Sequence, residues 1–288
     1  MNNLKLLKQL LLIGPRCADK EIVAVKIIAD YLESLKITYK LQTFNSFFPL
    51  CENKRLIVDH EEISCLGSSL VSGTIPNNQF LFSHLGSIPD NLPYNLAYSP
   101  LTDEISVVDH FEVPSLTISR NDILKILMAK EIKGEIKVRK QKFDSANILV
   151  GNLTKPKNII FAHFDSIIGQ GASDNAAAIL VLVNLITQNV NILTNSLFVF
   201  CGNEEMSYDS YKKSGYGFRV FESIYSQILK SCQKVYVLDG LGITEPAFSQ
   251  KGLDWVLQLK MLSQIEQKIS GFRVIKIKLC NFFTLKKM

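Results

Sequence analysis

The sequence predicts an α/β protein: a mostly parallel central sheet with helices on both faces, interrupted by an inserted β-rich domain. Three observations carry this expectation. After residue 146, apolar strand-like and helix-like segments alternate, the order that right-handed crossovers turn into a parallel sheet. The runs NIIFAHF, NSLFVFC and KVYVL are apolar without alternation, as strands covered on both faces are. From about residue 46 to 145 the texture changes to short β-like runs broken by TIPNN, SIPDNLP and YSPLTDE.

Each element follows from local pattern. Leu4, Leu7 and Leu11 recur at helical spacing and predict an amphipathic helix over 3–13. Lys5 and Lys8 interrupt that run and no small-residue cleavage site follows, so a signal peptide is not expected. A second helix is predicted over 20–36 and a strand over 38–44. The middle region gives strands at 55–59, 63–71, 79–83 and 105–108, then a helix at 121–130. Beyond it come a strand ending at Phe164, a buried helix over 174–188, a strand from Asn195, a helix over 219–232 and a strand from Lys234. The tail alternates Ile275, Lys276, Ile277, Lys278 and Leu279, a half-exposed strand. The expected organisation is 1–45 and 146–288 forming one domain around an insert at 46–145.

Composition narrows the function. The 288 residues are 47% hydrophobic and 20% charged, ordinary for a globular protein. The net charge of +5 is supplied by five cations after residue 270, so residues 1–270 are neutral and a nucleic-acid face is not expected. No segment has the uninterrupted apolar length of a membrane span. The six cysteines form no CxxC pair, which suggests buried thiols in a reducing compartment and a cytoplasmic protein.

The residues able to do chemistry follow the strands. His163 and Asp165 end the first, Asp174 opens the next helix, Glu204 and Glu205 follow the second strand, and Asp239 ends the third. Open parallel sheets bind ligands at these carboxyl ends. Taken singly, each residue has a plain structural reading: His163 an ordinary polar residue, Asp174 a helix cap, Glu204–Glu205 a solvated pair, Asp239 a turn before Gly240. Taken together, five carboxylates around one imidazole would repel unless a cation neutralised them or some were protonated. Oxygen and imidazole donors suit Zn, Mn or Co, and two ions sharing a carboxylate fit the count. Asp165 is spaced to accept the second imidazole N–H, the usual partner of a metal-bound histidine.

With these residues in view, AHFDS, GASDNAAAILVL and FCGNEEMSYDS resemble the His-x-Asp-Ser, Gly-Ala-x-Asp-Asn and Glu-Glu motifs of the co-catalytic dizinc aminopeptidases. These include bacterial leucyl aminopeptidase, aminopeptidase Y and carboxypeptidase-II-like enzymes. GPRCADKEIVAVKIIADYLESLKI resembles the family's opening. FEVPSLTISRNDILKIL and EIKGEIKVRK loosely resemble the protease-associated domain that many members carry within the chain. The resemblance implies a zinc-exopeptidase fold and peptide substrates. It implies that His163 and Asp239 bind one zinc, Asp174 bridges two, Glu205 binds the second, Glu204 is the general base and Asp165 orients His163.

One departure is plain. The family completes its second zinc site with a late histidine, and no His follows His163; His60, His84 and His110 all fall in the insert. The second site is therefore expected to be incomplete and the chain truncated relative to its relatives. Three readings stay open: a zinc aminopeptidase that cleaves N-terminal residues from peptides, a catalytically impaired relative that keeps one metal and binds, and a glutaminyl cyclase, which uses one zinc on the same fold.

Overall fold

A computed structural model of the chain describes residues 4–75, 80–83, 94–100, 102–106, 110–208 and 214–241. His84 and the tail strand expected at 275–279 lie outside them. In chain order the elements are α1 (Leu4–Leu12), α2 (Glu21–Ser34), β1 (Lys40–Val58), β2 (Glu61–Glu62), β3 (Cys65–Gly67), β4 (Gly73–Ile75), β5 (Phe80–Ser83), β6 (Tyr94–Tyr98), β7 (Leu116–Ile118), α3 (Ile123–Met128), β8 (Ile132–Gly151), β9 (Asn158–His163), α4 (Ala177–Gln188), β10 (Ser196–Cys201), α5 (Tyr216–Ser231) and β11 (Lys234–Val237). The chain divides into two compact units, one from residues 1–46 and 143–288 and one from 47–142. The long strands β1 and β8 contribute residues to both.

In the first unit the strand order is β11-β9-β10-β8. Parallel pairing holds over β11, β9 and β10, while β8 lies antiparallel on β10. The fold is α/β as the sequence predicts, but the sheet is mixed rather than mostly parallel: parallel pairing is limited to β11, β9 and β10. The parallel trio is covered on both faces, which explains its unbroken apolar runs. Ile160, Ala162, Phe198 and Phe200 face a core with α1, α2 and α4. Their neighbours Ile159, Phe161, Leu197 and Val199 face the opposite core with α5. The Phe161 ring meets Phe218 and Phe221 of α5 edge-on, with ring centroids 4.9 and 5.3 Å apart.

The helices present the expected apolar stripes with two adjustments. On α1 the fully buried residues are Leu6 and Leu10, one position from the anticipated register, and Leu4 is largely exposed. On α4, Ala178, Ile179, Leu182, Val183 and Ile186 are buried and Leu185 is exposed, so one face rather than the whole helix is covered.

The second unit contains a four-stranded sheet in the order β3-β7-β6-β5, and here β4 pairs with the first half of β8. Leu56, Val58, Ile75, Leu96, Leu116, Ile118, Ile132 and Ile136 form its core. β8 was not anticipated, although Ile132, Gly134 and Ile136 alternate inward against exposed Lys133, Glu135 and Lys137. Gly134 sits where β4 crosses closely: a Cβ there would meet the Ile75 side chain at 2.6 Å. The expected strand at 63–71 contracts to Cys65–Gly67, and Ile105 and Ser106 belong to no strand. Phe200 is fully buried between strands and helices. Phe200→Ala is therefore expected to cost about 3–5 kcal/mol in urea denaturation, against under about 0.5 kcal/mol for Leu127→Ala on the exposed face of α3. Similar losses for the two would contradict this account of the core.

Candidate metal centre

The register of the parallel trio builds the site. Cys201 of β10 pairs with His163 of β9, and Val237 of β11 pairs with Phe161. Two further bonds, Phe164 N–H to Cys201 O at 3.0 Å and Leu238 N–H to Phe161 O at 2.8 Å, extend the ladder to the strand ends. His163, Glu204–Glu205 and Asp239 therefore leave adjacent strands at one edge.

Asp174 arrives by a different route. Residues 172–176 make one irregular turn before α4, and Asp174 and Asn175 depart from helical geometry, joined by a cis peptide. Asp174 makes no capping hydrogen bond, so its cap reading does not hold. Its carboxylate lies instead 3.1 Å from His163 Nε2. Asp239 Oδ1 is 3.5 Å from the same nitrogen. His163 Nδ1 faces Asp165, 3.2 Å from its carbonyl oxygen and 3.4 Å from its carboxylate. Asp165 also accepts the Glu205 backbone N–H at 2.9 Å, tying the two strand ends together.

One ligand atom each from His163, Asp174 and Glu205 lie within 4.8 Å of one another. His163 is buried, Glu205 half-buried and Asp174 exposed, so the cluster opens to solvent on one side.

Several residues that the sequence reading did not single out hold this arrangement. Asn175, fully buried, donates to Leu238 O at 2.7 Å and fastens the Asp174 turn beside the end of β11. Asn147 of β8 donates to Gly217 O at 2.7 Å and accepts from Gly202 N–H at 3.2 Å, bracing the exit of β10. Asn203, in the left-handed region at φ 48°, donates to Met206 O at 2.5 Å and closes the Glu204–Glu205 turn. Glu21 of α2 is fully buried and accepts from Ser145 Oγ and the Asn203 backbone. Arg16, also fully buried, bonds to the loop after His163. Polar residues that are buried only after folding carry no periodicity, and GPRCADKE was the one visible signal for Arg16 and Glu21.

The electrostatics are those of crowded carboxyl groups. Burial raises Glu204 to about 7 and Glu205 to about 9, with the neighbouring carboxylates pushing the same way and His163 opposing. Burial holds Glu21 well above the usual carboxylate range, reinforced by Asp165. For His163, burial disfavours the charged ring, yet Asp165, Asp174 and Asp239 outweigh it and raise the imidazole well above its usual value. Without a cation the cluster keeps protons; a cation would take their place. The donor set, imidazole with carboxylate oxygens converging from separate loops, fits a borderline ion such as zinc.

Residues 148–270, which contain all six strand-end residues, match the model of Peptidase family M28. The fold is similar to BSAP, a zinc aminopeptidase from Bacillus subtilis, with TM-score 0.62 and 16% identity over 95% of this chain and 78% of that one. It is similar to a Peptidase M28 precursor from Shewanella amazonensis SB2B, with TM-score 0.64 and 12% identity over 92% and 76%. It is also similar to an aminopeptidase from Aneurinibacillus sp. strain AM-1, with TM-score 0.55 and 14% identity over 86% and 73%. No curated protein sequence matches significantly. The resemblance to the co-catalytic zinc aminopeptidases read from the motifs is borne out, and the chain carries their fold. Among the described residues no helix is long and apolar enough to cross a membrane.

The raised proton affinities have a consequence for stability. Glu205 has a folded value of about 9 against 4.5 for the free group, so the metal-free folded state binds the proton more tightly than the unfolded chain. That stabilisation is full below about pH 4.5 and is lost as pH rises through about 9. His163, Glu21 and Glu204 shift the same way. Chelator-treated protein is expected to show a lower urea midpoint at pH 9 than at pH 6, and added zinc to restore it by mass action. A midpoint that holds or rises with pH would contradict this.

Proposed function

We propose that the chain is a zinc-dependent aminopeptidase-type hydrolase that removes N-terminal residues from peptides. The observation that carries this reading is the convergence of His163, Asp174 and Glu205 beside Glu204. In it, His163, Asp239 and Asp174 would hold one zinc, and Asp174 and Glu205 would serve a second. Zinc bound there supplies Lewis acidity to a carbonyl and lowers the pKa of water.

The chain's own groups do the rest. The Asp165 backbone carbonyl accepts the His163 Nδ1–H, with the Asp165 carboxylate 3.4 Å from the same nitrogen, which leaves Nε2 free to serve a metal beside Asp174 and Asp239. Glu204 is half-buried, and its value of about 7 suits a group that takes a proton from water and returns it to a leaving amine. Its side chain leaves the turn beside Glu205, so ligand and base stand on neighbouring residues without competing for one position.

We assign residues 46–145 to a protease-associated-like module without chemistry of its own, a reading supported by its separate β-rich core. A cytoplasmic location is supported by the cysteines among the described residues, which are all free thiols. A second reading, a binding protein that keeps one metal, is favoured by one observation: no histidine follows His163.

Two experiments test the proposal. Glu204→Gln keeps the shape of the side chain but cannot take the proton, so hydrolysis of aminoacyl substrates should fall about 10²–10⁴-fold with zinc content unchanged. Retention of more than about a tenth of the turnover would remove Glu204 from the base role. The second position has no imidazole, a much better zinc donor than water, so elemental analysis after dialysis should find close to one zinc per chain, with a second taken up only at high added zinc. Two firmly held ions would mean that another residue completes the site.

A further inference from the structure

The GPRCADKE segment, which the functional reading leaves unused, places a fully buried guanidinium beside the metal centre. Among the described residues the Arg16 guanidinium makes no hydrogen bond to a carboxylate. It donates instead to backbone carbonyls: Nε to Phe164 O, Nη1 to Gln170 O, and Nη2 to Gly171 O at 3.0 Å. Phe164 directly follows His163, and Gln170 and Gly171 lie four and three residues before Asp174. One rigid fork thus holds both ends of the loop that joins the two groups standing 3.1 Å apart.

The backbone of Arg16 is fixed to the same loop. Its N–H donates to Ser166 Oγ at 3.1 Å, and its carbonyl accepts the Ser166 N–H at 3.3 Å. The loop is shaped to admit the fork: Gly171 has φ +55°, and a Cβ there would meet Arg16 Nη2 at 2.6 Å. The guanidinium also lies within electrostatic reach of Asp165, Glu205 and Asp174.

We propose that Arg16 is a positioning residue that sets the separation of His163 from Asp174 by clamping the intervening loop at Phe164 and at Gln170–Gly171. The inference rests on the metal-binding reading above. A clamp of this kind acts on the metal through its ligands, and loss of such a partner typically lowers metal affinity about 10–100-fold. Lysine keeps the charge but has a single ammonium that cannot span three carbonyls, so charge and fork are separable.

The test compares wild type, Arg16→Lys and Ser166→Ala by competition for zinc with a chromophoric chelator, and by visible absorption of the cobalt-loaded proteins. Arg16→Lys should bind zinc about 10–100-fold more weakly and change the cobalt ligand-field bands, whereas a purely structural role would leave the bands of the folded fraction unmoved. Wild-type affinity and an unchanged spectrum in Arg16→Lys would overturn the proposal. If Arg16→Lys does not fold, Ser166→Ala decides: a several-fold weaker affinity supports the clamp and an unchanged one overturns it. Wild-type protein that binds neither zinc nor cobalt would sink the metal-binding reading itself, and the clamp with it; wild-type binding with unaffected variants overturns the clamp alone.

Discussion

Everything at the centre depends on one constraint: a single imidazole must share the end of a parallel sheet with several carboxyl groups. Asp174 and Asp239 stand 3.1 and 3.5 Å from one nitrogen of His163, and Asp165 stands by the other. Carboxyl groups crowded this closely at a partly buried strand edge repel one another unless protons or a cation neutralise part of the charge. The cluster meets that constraint by holding protons on His163, Glu204 and Glu205. A divalent ion meets it better, because it supplies two charges at the point where the oxygen atoms converge. Under the proposed metal-binding reading, ion uptake and proton release would be two sides of one equilibrium.

The surrounding architecture serves to keep that crowding in place. The trio β9, β10 and β11 gives the ligands a fixed spacing, since neighbouring strands lie at a constant separation and their register is locked by hydrogen bonds. Buried amides then carry the fixation past the strand ends. Asn175 ties the Asp174 turn to Leu238, and Asn147 ties β8 to Gly202 and Gly217. Each such amide is fully buried and donates a hydrogen bond, so displacing it would leave that donor and its carbonyl acceptor unpaired in the core, a cost of about 1–3 kcal/mol. The arrangement is stiff because its alternatives are expensive.

Under the proposed reading the two sides of the cluster would be unequal. His163, Asp239 and Asp174 would offer zinc an imidazole nitrogen and two carboxylates from three separate segments. On the Glu205 side no histidine follows His163 in the sequence, so a second ion would meet carboxylates, which suit a harder ion better than zinc. Fold and chemistry are thus separable demands: the sheet needs its apolar strands, while a metal needs particular donors.

The sequence by itself determined the apolar strands, their order with the helices, and the polar residues that end them, because these depend on periodicity and composition over a few neighbouring positions. His163, Asp165, Asp174, Glu204, Glu205 and Asp239 were legible for that reason: polar residues at the ends of apolar runs stand out. The α1 stripe was misplaced by one residue, since Leu6, Leu7, Leu10 and Leu11 offer two registers and only packing chooses Leu6 and Leu10. Only the tertiary structure decided that β8 lies antiparallel on β10, that Asp174 turns toward His163 instead of capping α4, and that Arg16 reaches residues about 150 positions away. The strand pairing and the Arg16 contacts join segments distant in the chain through hydrogen bonds to backbone atoms that every residue type possesses, and the Asp174 turn is set by its packing beside the strand ends. No local pattern records such a partner, so the fold alone reveals it.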